Sequence, residues 1–227
     1  MSLYITGDTH NGIDIGKIDS FNANIGSQLN RTDFLCVLGD FGAIWYGDER
    51  DDELLDKWEN YPWTTLWIDG NHENFNAIEE YPVSHCFGGR VQFIRSHVIH
   101  LMRGEVYSIC GKTIFTFGGA MSIDKAYRQR GVSWWPQEEP SDEEYDNGLD
   151  NLEKVNWKVD YIFSHTGDTL SNQLMYSYHS YPESVSRYFD ALKQDLVYTH
   201  HYFGHHHTNE DIDEKNSCVY DKIIKLV

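Results

Sequence analysis

Basic residues are scarce in this chain: lysine and arginine number 18 against 36 aspartates and glutamates, a net charge of −18. That argues against a broad grip on long nucleic acid, which needs a basic surface to displace counterions. A small phosphorylated substrate is still open to it, because bound cations can reverse the field locally. Cysteine is sparse too. Cys36, Cys86, Cys110 and Cys218 are scattered, with no CxxC pair, so reduced thiols fit best and a structural zinc site has no support. No apolar run approaches the roughly 20 residues of a membrane helix. The opening MSLYITGD has no charged leader and no long apolar stretch. It reads as a strand rather than a signal peptide, and the expected compartment is the cytoplasm. Repeats and low-complexity linkers are missing as well. No composition boundary divides the chain, so residues 1–227 are expected to form one domain.

What is present suits a globular, sheet-rich fold. Hydrophobic residues make up 40% and aromatics 15%, mainly Tyr and Phe, which favour strands. Residues 3–6, 34–38 and 65–68 read as buried strands, with helices expected at 18–29 and 48–60 between them. Such alternation argues for parallel neighbours in an α/β sheet. Residues 91–94, 98–101, 105–110 and 113–117 read as a run of strands, antiparallel because Gly111-Lys112 is a turn. A helix is expected at 141–156, opened by an S-x-x-E capping box at Ser141 and Glu144. A strand at 161–163, a helix at 184–194 and strand-like segments at 197–203 and 219–226 complete the chain.

The polar residues fall in a telling place. Asp8, Asp40, Asn71 and His165 each follow a predicted strand, and His205 and His207 follow Gly204 in the same way. Ligands of open α/β sheets gather outside the carboxyl ends of strands, so five segments could aim donors at one spot. Asp, Asn and His offer hard oxygen and borderline nitrogen donors, which suit Mn, Fe, Zn or Ni better than Mg. Asp8 and His10 are close enough on one loop to chelate a single ion. Glycines beside these positions permit close approach. Any one such Asp, taken alone, is more often a turn residue or helix cap; it is the ordered set that carries the signal.

Together these residues form the blocks D-x-H (Asp8-Thr9-His10), G-D (Gly39-Asp40), G-N-H-E (Gly70-Asn71-His72-Glu73), a lone His165, and G-H-x-H (Gly204 to His207). In that order, over about residues 3–207, the chain resembles the calcineurin-like metallophosphoesterases. The segment from Gly118-Gly119-Ala120 to Trp134-Trp135 also looks like a subgroup of small bacterial and phage members. The resemblance implies a four-layer α/β/β/α sandwich with two mixed β-sheets. It implies two divalent ions, one held by Asp8, His10, Asp40 and His207, the other by Asp40, Asn71, His165 and His205, with Asp40 bridging. A bridging hydroxide would attack phosphorus in line, and His72 would assist the leaving oxygen. The implied activity is hydrolysis of a phosphomonoester or phosphodiester, with a small or nucleotide-type substrate favoured by the acidic surface. The alternatives are a phosphoprotein phosphatase, a nuclease, or a non-catalytic protein-binding scaffold; His72, which such scaffolds lose, argues for an enzyme.

Other residues are read more plainly. His85, His97, His100, His179, His200 and His201 fit no block and are expected to be structural or at the surface, and His206 should point away from the ions. Glu73 either orients His72 or caps the next helix. Arg128 and Arg130 are the candidates for binding phosphate oxygens, with Arg128 the stronger. Trp45, Trp134 and Trp135 could stack on a ring, though core packing is the commoner use. Leu54, Leu55 and Trp58 form a helical apolar stripe. Thr166-Gly167-Asp168 departs from the family pattern, and Asp168 could add a polar contact near His165.

Overall fold

The computed structural model describes residues 1–175 and 183–227; His179 lies outside them. In chain order the strands are β1 (Leu3–Thr6), β2 (Phe34–Leu38), β3 (Thr64–Ile68), β4 (Val83–Cys86), β5 (Gly89–Arg95), β6 (Val98–Leu101), β7 (Glu105–Ile109), β8 (Lys112–Phe117), β9 (Tyr161–Ser164), β10 (His200–Phe203), β11 (Glu210–Asp211), β12 (Asn216–Cys218) and β13 (Ile224–Lys225). The helices are α1 (Gly16–Asn24), α2 (Asp52–Asn60), α3 (Phe75–Ile78), α4 (Asp142–Lys154), α5 (Thr169–Met175) and α6 (Ser184–Leu192). One sheet runs β13-β1-β2-β3-β6-β5-β4 and the other β11-β12-β10-β9-β8-β7. Both are mixed. β1, β2, β3 and β6 are mutually parallel, as are β8, β9, β10 and β12, with antiparallel strands at the edges.

Alternation along the central strands sorts the side chains into layers. Leu3, Ile5, Cys36, Leu38, Leu66 and Ile68 meet Tyr107, Ile109, Ile114 and Phe163 between the sheets. Tyr4, Leu35, Val37 and Trp67 face the other way, under Ile18 and Phe21 of α1 and Leu55 and Trp58 of α2. Phe115, Phe117 and Ile162 lie under Leu152 of α4 and Val185, Phe189 and Leu192 of α6. The result is the expected α/β/β/α sandwich. Each large apolar side chain buried this way contributes about 1.5–3 kcal/mol, and the stripe read at Leu54, Leu55 and Trp58 belongs to this packing.

The middle of the chain departs from the expected antiparallel run. β5 and β6 form a hairpin, as do β7 and β8, but the chain changes sheets between β6 and β7. β6 then pairs in parallel with β3, and β8 with β9. Alternation fixes which face a residue takes, not which strand lies alongside. The helix expected at 18–29 stops at Asn24 and continues as a 3-10 turn, in which the Trp63 ring packs within 2.6 Å of where a side chain on Gly26 would begin. Elements not foreseen are one-turn α3, capped by Asn74, the half-exposed edge strand β4, helix α5 and the short strands β11 and β12. The strand expected at 219–226 is instead a crossing from β12 in one sheet to β13 in the other, and Tyr220 sits in that crossing. The capping box at Ser141 and Glu144 forms as read. Among the described residues no helix is long and apolar enough to cross a membrane.

Candidate active site

Five parallel strands deliver the polar residues to one edge of the sandwich. Asp8 follows β1, Asp40 follows β2, Asn71 follows β3, His165 follows β9 and His205 follows β10. The chain turns sharply at these ends. His10, Asp40, His205 and His207 all have left-handed backbone, with φ of 43°, 46°, 71° and 51°. Non-glycine residues held there cost about 1–3 kcal/mol each and concentrate at functional sites. The neighbouring glycines make room: a side chain on Gly39 would begin 2.1 Å from His165 Nδ1, and one on Gly70 would begin 2.1 Å from Asp40 Oδ1.

The donor atoms form overlapping clusters. Those of Asp8, His10 and His207 lie within 4.8 Å of one another, as do those of Asp40, His165 and His205, and those of His10, Asp40 and His72. Asp40 stands between, 3.2 Å from His10 Nε2 and 3.3 Å from His165 Nε2. Its Oδ1 accepts from the backbone N–H groups of Asn71 and His72 at 2.9 and 2.8 Å, and its carbonyl accepts from Thr9 and His10. Asn71 Oδ1 lies 3.1 Å from His165 Nε2. Asp8 Oδ1 accepts from the His205 N–H at 3.1 Å.

Two buried polar atoms here have no hydrogen-bond partner: Asp8 Oδ2 and His205 Nε2. An unsatisfied buried group costs about 1–3 kcal/mol. A carboxylate oxygen and an imidazole nitrogen are both metal donors, so a cation would complete both. The donor set therefore fits divalent metal.

Burial opposes charge throughout this edge. It raises the Asp8 carboxyl, against the attraction of His165, and holds His205 well below the ordinary imidazole value. At His10 and His165 it is outweighed by Asp40, which lifts them to about 9 and about 10. Asp40 stays well below the usual range despite burial, because His165 and His10 stabilise its charge. Burial lowers His72, and the nearby Arg128 works in the same direction against the pull of Asp40. Without a cation, then, the acidic centre draws protons onto His10 and His165, and a divalent ion would compete for the same lone pairs.

Arg128 does come to this edge. Its guanidinium nitrogens lie 3.2–3.4 Å from the ring nitrogens of His72, and Asp124 holds Nε at 2.7 Å. The segment 121–128 borders an open cavity of about 220 Å³ shared with Asp40, Asn71, His72, His205 and His207. Trp45 stacks at 6.4 Å on His72 and meets the buried Trp135 edge-on. Arg130 is exposed, and Trp134 faces Lys125 instead. Glu73 takes neither expected role. It is buried and accepts from the N–H groups of Phe41 and Gly42, pinning the loop behind Asp40, while Asn74 caps α3. Asp168 turns away from His165 to cap Ser171 and pair with Lys193. His206 points to Asn172. His85 is exposed, His97 meets Glu59, His100 packs on Trp67, His200 meets Ser217, and His201 meets Ser164 beneath the His165 loop.

Several supporting residues gave no sequence signal. Asp14 Oδ2 accepts from His10 Nδ1 at 2.7 Å, and Asp14 Oδ1 accepts from the Tyr220 hydroxyl at 2.9 Å. Tyr220 also stacks on His207 with ring centres 5.0 Å apart. Lys17 ties the carbonyls of Gly7, Asp8 and Tyr220 together. Ser122 and Glu138 lie behind Asn71. In the sequence, the 118–136 segment was marked for the site by Arg128 and Arg130, not by Ser122 or by Glu138 just beyond it.

Comparison with known proteins agrees with this geometry. The family model for calcineurin-like phosphoesterases matches residues 1–209, a stretch that contains all five sequence blocks. No curated protein matches the chain. Among solved structures it is similar to one described as a putative 5'-nucleotidase from Staphylococcus aureus in complex with alpha-ketoglutarate. That similarity has 12% identity and a TM-score of 0.48, and covers 96% of this chain and 48% of the other, so the chain spans about half that structure's length. On the family match, which covers most of its length, the chain belongs to the calcineurin-like phosphoesterases.

Proposed function

We propose that the enzyme uses two divalent ions to hydrolyse a small phosphomonoester or phosphodiester. The observation that carries this reading is the overlap of the donor clusters at Asp40, with Asp8 Oδ2 and His205 Nε2 buried and without a hydrogen bond beside it. One ion would be held by Asp8, His10, Asp40 and His207, the other by Asp40, Asn71, His165 and His205. The donor types favour Mn, Fe, Zn or Ni. When bound, such a pair clamps a phosphoryl group and lowers the pKa of a water towards about 7.

The chain's own residues do the rest. Asp40 joins the two halves and fixes their spacing. His72 borders the same cavity; as an imidazolium it would give a proton to the leaving oxygen and return to neutral imidazole, and as a neutral ring its N–H would stabilise the charge growing there. Arg128 would take a phosphate oxygen in place of its contact with His72. Net charge and a cavity of about 220 Å³ support a small substrate, and nucleotides are one class of that size. A metal-free preparation reloaded with Mn²⁺ should contain about two ions per chain by the two-metal logic. It should hydrolyse phosphoesters only when loaded, with a screen of nucleotide and simple esters naming the preferred class. A metal content near zero would sink the reading, and a value near one would remove the bridging role of Asp40.

A further inference from the structure

Asn71 can serve as a metal donor only if its amide oxygen, not its NH₂, faces the ions. Nothing in the Asn71 backbone decides this, since the two ends of an amide have nearly the same shape. The decision lies one layer behind. Glu138 is wholly buried, and its carboxylate takes both hydrogen-bond donors of Ser122: the backbone N–H at 2.8 Å and the hydroxyl at 2.6 Å. A carboxylate only accepts, so the Ser122 hydroxyl must spend its one proton on Glu138. Its oxygen is then left with lone pairs alone and faces Asn71 at 3.1 Å. The partner it can take from Asn71 is the NH₂ group, which turns Oδ1 to the other side, 3.1 Å from His165 Nε2.

We infer that Glu138, acting through Ser122, is the positioning residue that fixes the Asn71 amide with its oxygen towards the metal centre. The inference rests on the proposed role of Asn71 as a ligand of the ion it would share with Asp40, His165 and His205. The segment 118–138 then serves the site twice, since the stretch that walls the cavity also holds the orientation of a ligand. Glu138→Gln replaces the acceptor by an amide that can donate to Ser122. The Ser122 hydroxyl is then released to donate to Asn71 Oδ1, and the amide turns its NH₂ to the metal.

The test is a Mn²⁺ titration of the metal-free protein by calorimetry. Wild type should show two binding events. Glu138→Gln should weaken one of them by about 10–100-fold, the usual cost of losing a group that orients a ligand, and leave the other unchanged. Ser122→Ala removes the same relay and should behave alike, which keeps the test open if the first variant does not fold. Asn71→Asp added to Glu138→Gln should restore the lost event, because a carboxylate presents an oxygen whichever way it turns; damage to the fold would not be repaired so. Two wild-type events in both relay variants, loss of both events together, or a single loss that Asn71→Asp leaves unrepaired would each overturn the inference. Fewer than two events in the wild type would instead overturn the two-ion reading and take this inference with it.

Discussion

Asp40, Asn71 and His165 are all buried, and main-chain groups hold them from several sides. On the other side of Asp40, His207 leaves half of its side chain exposed and His10 is only partly covered. Those two histidines are steadied by Asp14, four residues after His10, and by Tyr220 from near the other end of the sequence. The inner half is thus a product of the sheet itself, fixed wherever the strands pair. The outer half depends on whether a loop after β1 and the crossing after β12 come together. Under the proposed two-ion reading, a site built this way should grip its inner ion more tightly and exchange its outer ion more readily.

Three substitutions break or sharpen that contrast. Asp40→Ala should have the largest effect, because it removes the one carboxylate both halves share. We expect loss of both ions and a fall in kcat/KM beyond the ~10²–10³-fold that removal of a single electrostatic stabiliser costs. Metal analysis of the purified variant checks this; one ion retained at full affinity would mean that the halves are independent. His72→Ala comes next. It should leave both ions in place and lower kcat by about 10²–10⁴-fold on an alkyl phosphate, where the leaving oxygen needs help, with far less effect on p-nitrophenyl phosphate. Equal loss on the two esters would assign His72 to binding instead.

Tyr220→Phe should be the mildest and the most selective. It deletes the hydroxyl that donates to Asp14 but keeps the ring against His207. The outer ion should weaken by about 10-fold, the low end for such supporting contacts, while the inner ion is unaffected. A Mn²⁺ titration in which both events shift alike would show that the two halves do not differ in how they are held.

Much of this was legible because it is local. A continuous apolar run such as 34–38 declares a strand buried on both faces, and Ser141 with Glu144 forms a capping box within a single turn. Asp8, Asp40, Asn71, His165 and His205 could be read as one set because each needs only its own strand and the turn after it. Glu73 and Asp168 were misread for the opposite reason. Their partners, Phe41 with Gly42 and Lys193, are remote in sequence, and a carboxylate beside a turn gives no sign of which remote N–H or ammonium it will meet.

By itself, then, the sequence determined the strand ends, the donor types and the family, since these follow from backbone period, turn chemistry and motif order. Only the tertiary structure decided that β6 and β7 part into different sheets, that Tyr220 folds back beside Asp14 and His207, and that Glu138 reaches Ser122 behind Asn71. Hydrogen bonds between such side chains act over about 3 Å, and which groups come that close is settled by the packing of whole sheets and helices rather than by their spacing along the chain.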